Sequence, residues 1–110
     1  MNRRFGLTET TIQKINGIFT RYPQVEKTVL YGSRAKGNFK NGSDIDLTLF
    51  GDKDLTSDVL YHIKSDMDDL PIPYKVDLSI FRHMSDPDVI DHIRRIGVVF
   101  YETMAQTNHF

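Results

Sequence analysis

The most informative absences in this 110-residue chain are cysteine and long apolar runs. Because there is no cysteine, disulfide bonds and zinc sites with thiolate ligands are excluded, which suits a reducing compartment. No apolar run approaches the ~20 residues that span a bilayer, and no charged-then-apolar leader opens the sequence. We therefore expect a soluble, cytoplasmic protein with no membrane partner.

The chain also lacks an excess of charge of either sign. It has 14 Lys and Arg residues against 15 Asp and Glu residues, which gives a net charge of −1. A nucleic-acid backbone needs a basic surface to neutralise it, so we expect no nucleic-acid partner. The four histidines have no paired spacing that suggests a zinc site, and we expect them to be packed or solvated: His62, His83, His92 and His109.

Helix and strand signals alternate along the sequence and predict one compact α/β domain. Thr8 can cap a first helix, because its hydroxyl can accept from the backbone N–H groups of the first turn. Asp86 before Pro87 is the clearest cap, since proline has a pre-set φ at the first helical position. Helices are predicted over residues 8–22, in a short turn after Ser33, from Thr56 or Ser57 to about residue 70, and over 86–96; strands are predicted over residues 25–31, 44–50, 74–81 and, at a sheet edge, 98–101.

Two acidic residues lie two positions apart in the second predicted strand. Residues i and i+2 of a strand project from the same face, so Asp44 and Asp46 point together while Ile45 and the alternate leucines after it face a core. Adjacent carboxylates repel each other unless a cation lies between them. Mg²⁺ suits such a pair, because it binds few carboxylates and completes its shell with water and substrate phosphates. The pair therefore predicts a magnesium site.

A Gly-Ser pair precedes Asp44 by ten intervening residues. After the apolar run 29–31, Gly32 lets the backbone turn sharply and approach a ligand. The next N–H groups and the Ser33 hydroxyl could hold phosphate oxygens at a helix start. Arg34 and Lys36 follow, and they either contact phosphates or are solvated on the short helix. A phosphate cradle beside metal-binding carboxylates implies a nucleoside triphosphate.

A third acid, Asp77, follows the same pattern in the third predicted strand. Period-2 alternation places Asp77 on the polar face, with Val76 and Leu78 on the apolar one. Both acid-bearing strands thus present one polar face. We expect a sheet with helices on one side and an open, acid-bearing side.

The run from Gly32-Ser33-Arg34-Ala35-Lys36-Gly37 through Ser43-Asp44-Ile45-Asp46-Leu47, with Asp77 about thirty residues later, resembles the minimal nucleotidyltransferases of the DNA polymerase beta superfamily. It looks closest to the short MntA-type antitoxins encoded beside a HEPN-domain toxin. The resemblance covers nearly the whole chain. It implies a polymerase-beta-like core with a small mixed sheet and helices mainly on one face. It also implies Mg²⁺-dependent transfer of a nucleoside monophosphate, most simply AMP from ATP, to a tyrosine hydroxyl of the toxin.

These residues have the following expected roles. Asp44 and Asp46 would bind a Mg²⁺ ion that bridges the triphosphate, and Asp77 would complete a second metal site or take the acceptor proton. Pyrophosphate is the leaving group. The expected nucleotide-binding residues share one loop and the helix start that follows it: Gly32, Ser33 and Arg34.

We expect the nucleotidyltransferase domain to span residues 1–104 and a flexible tail to span 105–110. A chain of this length has little room for an acceptor-binding domain, so something else must bind the acceptor. This favours a protein-modifying antitoxin over a small-molecule transferase of the aminoglycoside type, which would need a separate substrate-binding subunit. A third alternative is a non-catalytic antitoxin that acts by binding, and three clustered, mutually repelling carboxylates argue against it. The sequence leaves homo- or hetero-oligomeric assembly open.

Overall fold

A computed structural model of the protein describes residues 3–103. The predicted tail over residues 105–110 lies outside the described residues. The strands are β1 (Arg3–Arg4), β2 (Leu7–Thr8), β3 (Lys27–Tyr31), β4 (Ile45–Phe50), β5 (Val76–Ile80) and β6 (Val98–Glu102). The helices are α1 (Glu9–Phe19), α2 (Ser33–Lys36), α3 (Ser57–Asp68) and α4 (Pro87–Ile96), with a 3-10 turn over Phe81–His83.

The main sheet has four strands in the order β5-β4-β3-β6. β3 pairs antiparallel with β4 and with β6, whereas β4 pairs parallel with β5. A parallel pair cannot be joined by a tight turn, and α3 supplies the crossover between β4 and β5. The prediction of an α/β fold with a small mixed sheet is confirmed, as is the edge position of β6.

One face of the sheet packs against α1 and α3 to form the core. β4 shows the predicted alternation, since Ile45, Leu47 and Leu49 are all fully buried on this face. The helices contribute the apolar side chains of one stripe each, as the spacing of isoleucines in α1 predicts. The buried residues of this cluster are Leu7, Ile12, Ile15, Ile18, Phe19, Val25, Leu30, Ile45, Leu47, Leu49, Leu55, Ile63, Met67, Leu78, Ile80 and Phe100.

Three side chains cap the helix starts. Thr8 accepts from the Thr11 N–H, and Asp86 accepts from the Asp88 N–H with proline at the first helical position, as predicted. Of the two candidates for α3, the structure selects Thr56, whose hydroxyl accepts from the Val59 N–H. Stable starts at these positions fix where the helices enter the core.

Two helices end a little earlier than predicted, and for one reason. After α1, the N–H groups of Arg21 and Tyr22 donate to carbonyls three residues back rather than four. The same i−3 bonds follow α3, from the N–H groups of Asp69 and Leu70. Helical spacing in the sequence does not separate such tightened last turns from α-helix.

The short hairpin of β1 and β2 was not predicted from the sequence. Its two-residue turn places both Phe5 and Gly6 at positive φ, 58° and 76°. Positive φ is uncommon for a residue as bulky as phenylalanine, so Phe5 does not indicate a two-residue turn.

The second face of the sheet carries the acids, and α4 covers part of it. Val29 lies on this face and is only 7 % exposed. The chain comes close to it at Gly97, just after α4, where an added Cβ would lie 2.6 Å from Val29 Cγ1. The side that we expected to be open is therefore covered over β3.

Within residues 3–103, no helix has the length and apolar character needed to cross a membrane.

Candidate active site

The structure places two of the three predicted carboxylates side by side. Asp46 on β4 and Asp77 on β5 are register partners in the parallel pair, so their side chains project from the same face. Asp44 lies one residue before β4, with its side chain exposed. Asp46 is half-buried, whereas Asp77 is exposed and accessible to a partner molecule.

The electrostatics of this group centre on Asp46. Burial raises the pKa of the Asp46 carboxyl, and the neighbouring carboxylates of Asp77 and Asp44 raise it further. His92 and Lys75 oppose this rise only in part. Burial and the two neighbouring carboxylates thus make a negative charge on Asp46 unfavourable in the metal-free protein. A bound cation would reverse that balance, so the site favours a cation.

Gly32 lies directly against the Asp46 carboxylate. Its φ of 76° and ψ of −157° belong to a region that only glycine adopts readily. A Cβ at this position would lie 2.4 Å from Oδ2 of Asp46, well inside van der Waals contact. The predicted phosphate cradle and the predicted metal ligands therefore touch each other, although Gly32 and Asp46 are 14 positions apart in the sequence.

A histidine that the sequence analysis gave no role contacts the cradle. The backbone N–H of Gly32 donates to Nε2 of His92 on α4 at 3.0 Å. The imidazole also lies edge-on to Tyr31, with ring centroids 6.2 Å apart. The hydrogen bond between Gly32 and His92 could not be predicted from a local pattern, because the two residues are 60 positions apart.

Ser33 and Tyr31 border the same region. Ser33 begins α2, and its hydroxyl has no hydrogen-bond partner among residues 3–103. Burial raises the pKa of Tyr31; a hydrogen bond with Ser79 lowers it, while the carboxylates of Asp77 and Asp46 raise it. Tyr31 is thus close enough to both acids to sense their charge, and it forms one side of the acid-bearing surface.

Arg34 is buried, and this decides against one of the two alternatives predicted for it. Only 3 % of the residue is exposed, so the alternative of a solvated side chain on α2 is wrong. Its guanidinium donates from Nε and Nη2 to the Ser43 carbonyl, at 3.1 and 2.8 Å, and from Nη1 to the Phe5 carbonyl at 2.8 Å. Lys36, by contrast, is exposed. Of the two basic residues of α2, Arg34 is therefore buried and hydrogen-bonded to the backbone, whereas Lys36 is exposed.

Among residues 3–103, no three His, Cys, Asp or Glu side chains are grouped so that they could hold a metal ion together. The predicted ligands do fit a hard divalent cation by chemistry, because all three donors are carboxylates, and Mg²⁺ prefers oxygen ligands. The raised pKa of Asp46 fits it too, since the pair Asp46 and Asp77 lacks a neutralising charge of sufficient strength.

Residues 13–106 match the family described as Polymerase beta, Nucleotidyltransferase. The chain belongs to this family. The matched range includes the Gly-Ser pair and all three predicted carboxylates. The resemblance on which the sequence analysis rested is confirmed, and so is the expectation of a nucleotidyltransferase.

Several solved structures share the fold. A toxin-antitoxin structure with AMP-PNP has a TM-score of 0.67 at 20% identity, over 86% of this chain and 76% of that one. The toxin-antitoxin MntA-HepT has a TM-score of 0.55 at 18% identity, over 90% of this chain and 76% of that one. A tri-AMPylated Shewanella oneidensis HEPN toxin in complex with an MNT antitoxin gives 0.53 at 18% identity, with the same coverages. No curated protein matches the chain.

Proposed function

We propose that this protein is a Mg²⁺-dependent nucleotidyltransferase that transfers AMP from ATP to a tyrosine hydroxyl of a HEPN-type partner protein, and so acts as an antitoxin. The observation that carries the proposal is the contact between Gly32 and Asp46, with Asp77 in register beside them. It brings a glycine-lined turn, suited to phosphates, against a carboxylate pair suited to a cation. Nucleotidyl transfer needs both parts at one place.

The carboxylates have the metal-binding role in this proposal. Asp44 and Asp46 would hold one Mg²⁺ ion, and Asp77 would contribute to a second. When bound, the metal neutralises the negative charge that develops on the phosphates as pyrophosphate leaves. Asp46 is the least exposed of the three carboxylates.

The cradle residues have a positioning role. Gly32 lets the nucleotide approach the backbone closely, and the Ser33 hydroxyl, without a partner among the described residues, is available to an outer phosphate oxygen. Holding the triphosphate in line with the attacking hydroxyl accounts for much of the catalysis in reactions of this type. His92 accepts a hydrogen bond from the Gly32 N–H and so helps to hold the backbone of this turn.

Asp77 is the residue that we assign to the acceptor. The proton of the tyrosine hydroxyl must be removed as its oxygen attacks the α-phosphate, and Asp77 is the exposed carboxylate within the sheet pair. A protein acceptor is supported by the fold-sharing complexes, one of which contains a tri-AMPylated HEPN toxin together with an MNT antitoxin.

The test is intact-protein mass spectrometry of a cognate HEPN-type toxin after incubation with this protein, ATP and Mg²⁺. We expect the toxin to become heavier by whole adenylate units. Asp77→Asn should abolish the mass shift and leave the two proteins able to associate. Asp54→Asn, which changes an exposed acid after β4, is the matched control and should retain transfer.

One outcome would overturn the enzymatic proposal for this partner. If the protein neutralises toxin activity with no mass increase, and the Asp77→Asn variant does so equally well, the protein acts by binding. Adenylation of an added aminoglycoside-type compound in place of the toxin would instead favour the small-molecule alternative.

A further inference from the structure

Arg34 is a buried cation beside the proposed nucleotide site. Its residue is 3 % exposed, and among the described residues no carboxylate lies within ion-pair distance of it. Burying an unpaired charge is costly unless its hydrogen-bonding groups are satisfied. A buried arginine without an ion-pair partner is therefore expected to have its N–H groups satisfied by hydrogen bonds.

The guanidinium of Arg34 makes three such hydrogen bonds. Nε and Nη2 donate to one carbonyl oxygen, that of Ser43, while Nη1 donates to the carbonyl of Phe5. Only the planar fork of arginine can place three donors in this arrangement, because the lysine ammonium is a compact point charge. The geometry therefore depends on arginine specifically and not on positive charge alone.

Two aromatic rings hold the guanidinium from the sides. Its central carbon lies 5.1 Å from the centroid of Phe39 and 4.9 Å from that of Tyr74, within the range of cation–π attraction. Burial lowers the pKa of Arg34, and the nearby Tyr74 and Asp44 oppose that change. Asp44 is thus close enough for its charge to act on the guanidinium.

These contacts join the separate pieces of the proposed site. Arg34 follows Ser33 of the cradle, Ser43 precedes Asp44, and Tyr74 lies just before β5, which carries Asp77. We propose that Arg34 is a positioning residue that fixes the start of the acid-bearing strand against the cradle, instead of a phosphate ligand. This inference rests on the proposed function, and it names a residue through which that site keeps its geometry.

The first test measures Mn²⁺ binding to the nucleotide-free protein, by electron paramagnetic resonance of the free ion. We expect Arg34→Lys and Arg34→Met both to weaken Mn²⁺ binding several-fold, because neither residue can hold the Ser43 carbonyl with a fork. Arg21→Met, which removes an exposed arginine paired with Asp66, is the control and should leave it unchanged.

If Arg34 were a phosphate ligand, its substitution would change the Mn²⁺ affinity in a different way. Removing a cation near Asp44 would make the local potential more negative, so Arg34→Met would tighten Mn²⁺ binding and Arg34→Lys would leave it unchanged. Either of those results would overturn the inference. Because no nucleotide is transferred in this experiment, its outcome does not depend on whether the proposed transfer reaction occurs.

The second test separates kcat from KM in the transfer reaction. Misplacement of the carboxylates should lower kcat by about 10- to 100-fold in both Arg34 variants, and any change in the KM for ATP should be the same in Arg34→Lys as in Arg34→Met. A KM for ATP that rises in Arg34→Met and is restored in Arg34→Lys would identify a phosphate contact and contradict the inference.

Tyr74→Leu provides a third test, which can be used if the Arg34 variants do not fold. Tyr74→Leu keeps the guanidinium and its hydrogen bonds but removes one of the two rings that hold it. We expect weaker Mn²⁺ binding in this variant as well. Unchanged Mn²⁺ affinity in a folded Tyr74→Leu protein would show that the position of Arg34 does not control the carboxylates.

Discussion

The two faces of β4 differ in composition and in their contribution to stability. Residues Ile45, Leu47 and Leu49 on one face are fully buried in the core, where each contributes by the apolar surface that it removes from water. On the other face, Asp46 lies against Gly32 and beside Asp77, and its carboxyl pKa is raised. The first face stabilises the fold, and the second places unfavourable charge where a ligand can relieve it.

This difference is common at functional sites, which often carry local strain or repulsion that the rest of the fold supports. The acid-bearing face also draws on distant segments, since it includes contacts from α4 and from the turn before α2. Substitutions on the two faces should therefore separate activity from stability.

The largest expected effect is that of Asp44→Asn combined with Asp46→Asn. Both changes keep the size of the side chain and remove its charge, so transfer should fall by at least about a thousandfold, which corresponds to several kcal/mol of lost metal-dependent stabilisation. The melting temperature in a chelator should stay the same or rise, because like-charge repulsion is relieved. A clear drop in melting temperature would mark these acids as structural and contradict the site assignment.

The next effect is that of Gly32→Ala. A Cβ would collide with Oδ2 of Asp46 and would occupy a backbone conformation that alanine avoids, so transfer should fall by about 100-fold and stability by about 1–3 kcal/mol. Steady-state kinetics and urea denaturation measure the two quantities.

Gly37→Ala is the matched control for this variant. Gly37 also has positive φ, 91°, but an added Cβ there would have no atom within 4 Å. We expect backbone strain to lower its stability while transfer is retained. Equal loss of transfer in both glycine variants would mean that strain alone, and not the contact with Asp46, controls the site.

Leu49→Ala should show the converse behaviour. This side chain is fully buried on the core face, and its truncation should lower the free energy of unfolding by about 2–5 kcal/mol. The kcat of the folded protein should stay close to that of the wild type at a temperature where both are folded. A large fall in kcat would show that the two faces of β4 are not independent.

The smallest expected effect is the pH dependence of stability in a chelator. Since the pKa of Asp46 is raised on folding, the folded state keeps its proton to higher pH than the unfolded state, whose carboxyl titrates near 3.8. Stability is therefore lost as pH rises from about that value through the folded-state pKa. Asp46→Asn should remove this loss, so its advantage over the wild type should grow toward neutral pH in urea denaturation.

A constant difference between the two proteins across that pH range would contradict the cause that we assign. Addition of Mg²⁺ at neutral pH should reduce or reverse the advantage of Asp46→Asn, because the metal binds the carboxylate that the variant lacks.

Much of the fold could be predicted because its signals are local. Alternation placed the leucines of β4 in the core, and the caps at Thr8 and Asp86 set two helix starts within a residue. The spacing of Gly32 and the acids predicted a site for a nucleoside triphosphate, and the family resemblance of these residues implied a nucleotidyltransferase, which the family match confirms. The assignment of individual residues to phosphate and metal stays a prediction.

What the sequence did not reveal depends on contacts between distant positions. The burial of Arg34 requires the carbonyls of Phe5 and Ser43 both to lie beside its guanidinium. The hydrogen bond from Gly32 to His92 requires α4 to lie over β3. No pattern of spacing along the chain encodes either arrangement. The hairpin turn at Phe5 was missed for a local reason, since its residue type does not favour positive φ.

Calorimetric titration of the protein with ATP, in Mg²⁺ and in a chelator, tests the central claim most directly. The claim is that the acid-bearing face of the sheet binds a nucleotide through a divalent cation. We predict binding in Mg²⁺ and none in the chelator, because the uncompensated carboxylates of Asp44, Asp46 and Asp77 repel the triphosphate. Equal affinity under the two conditions would contradict the account.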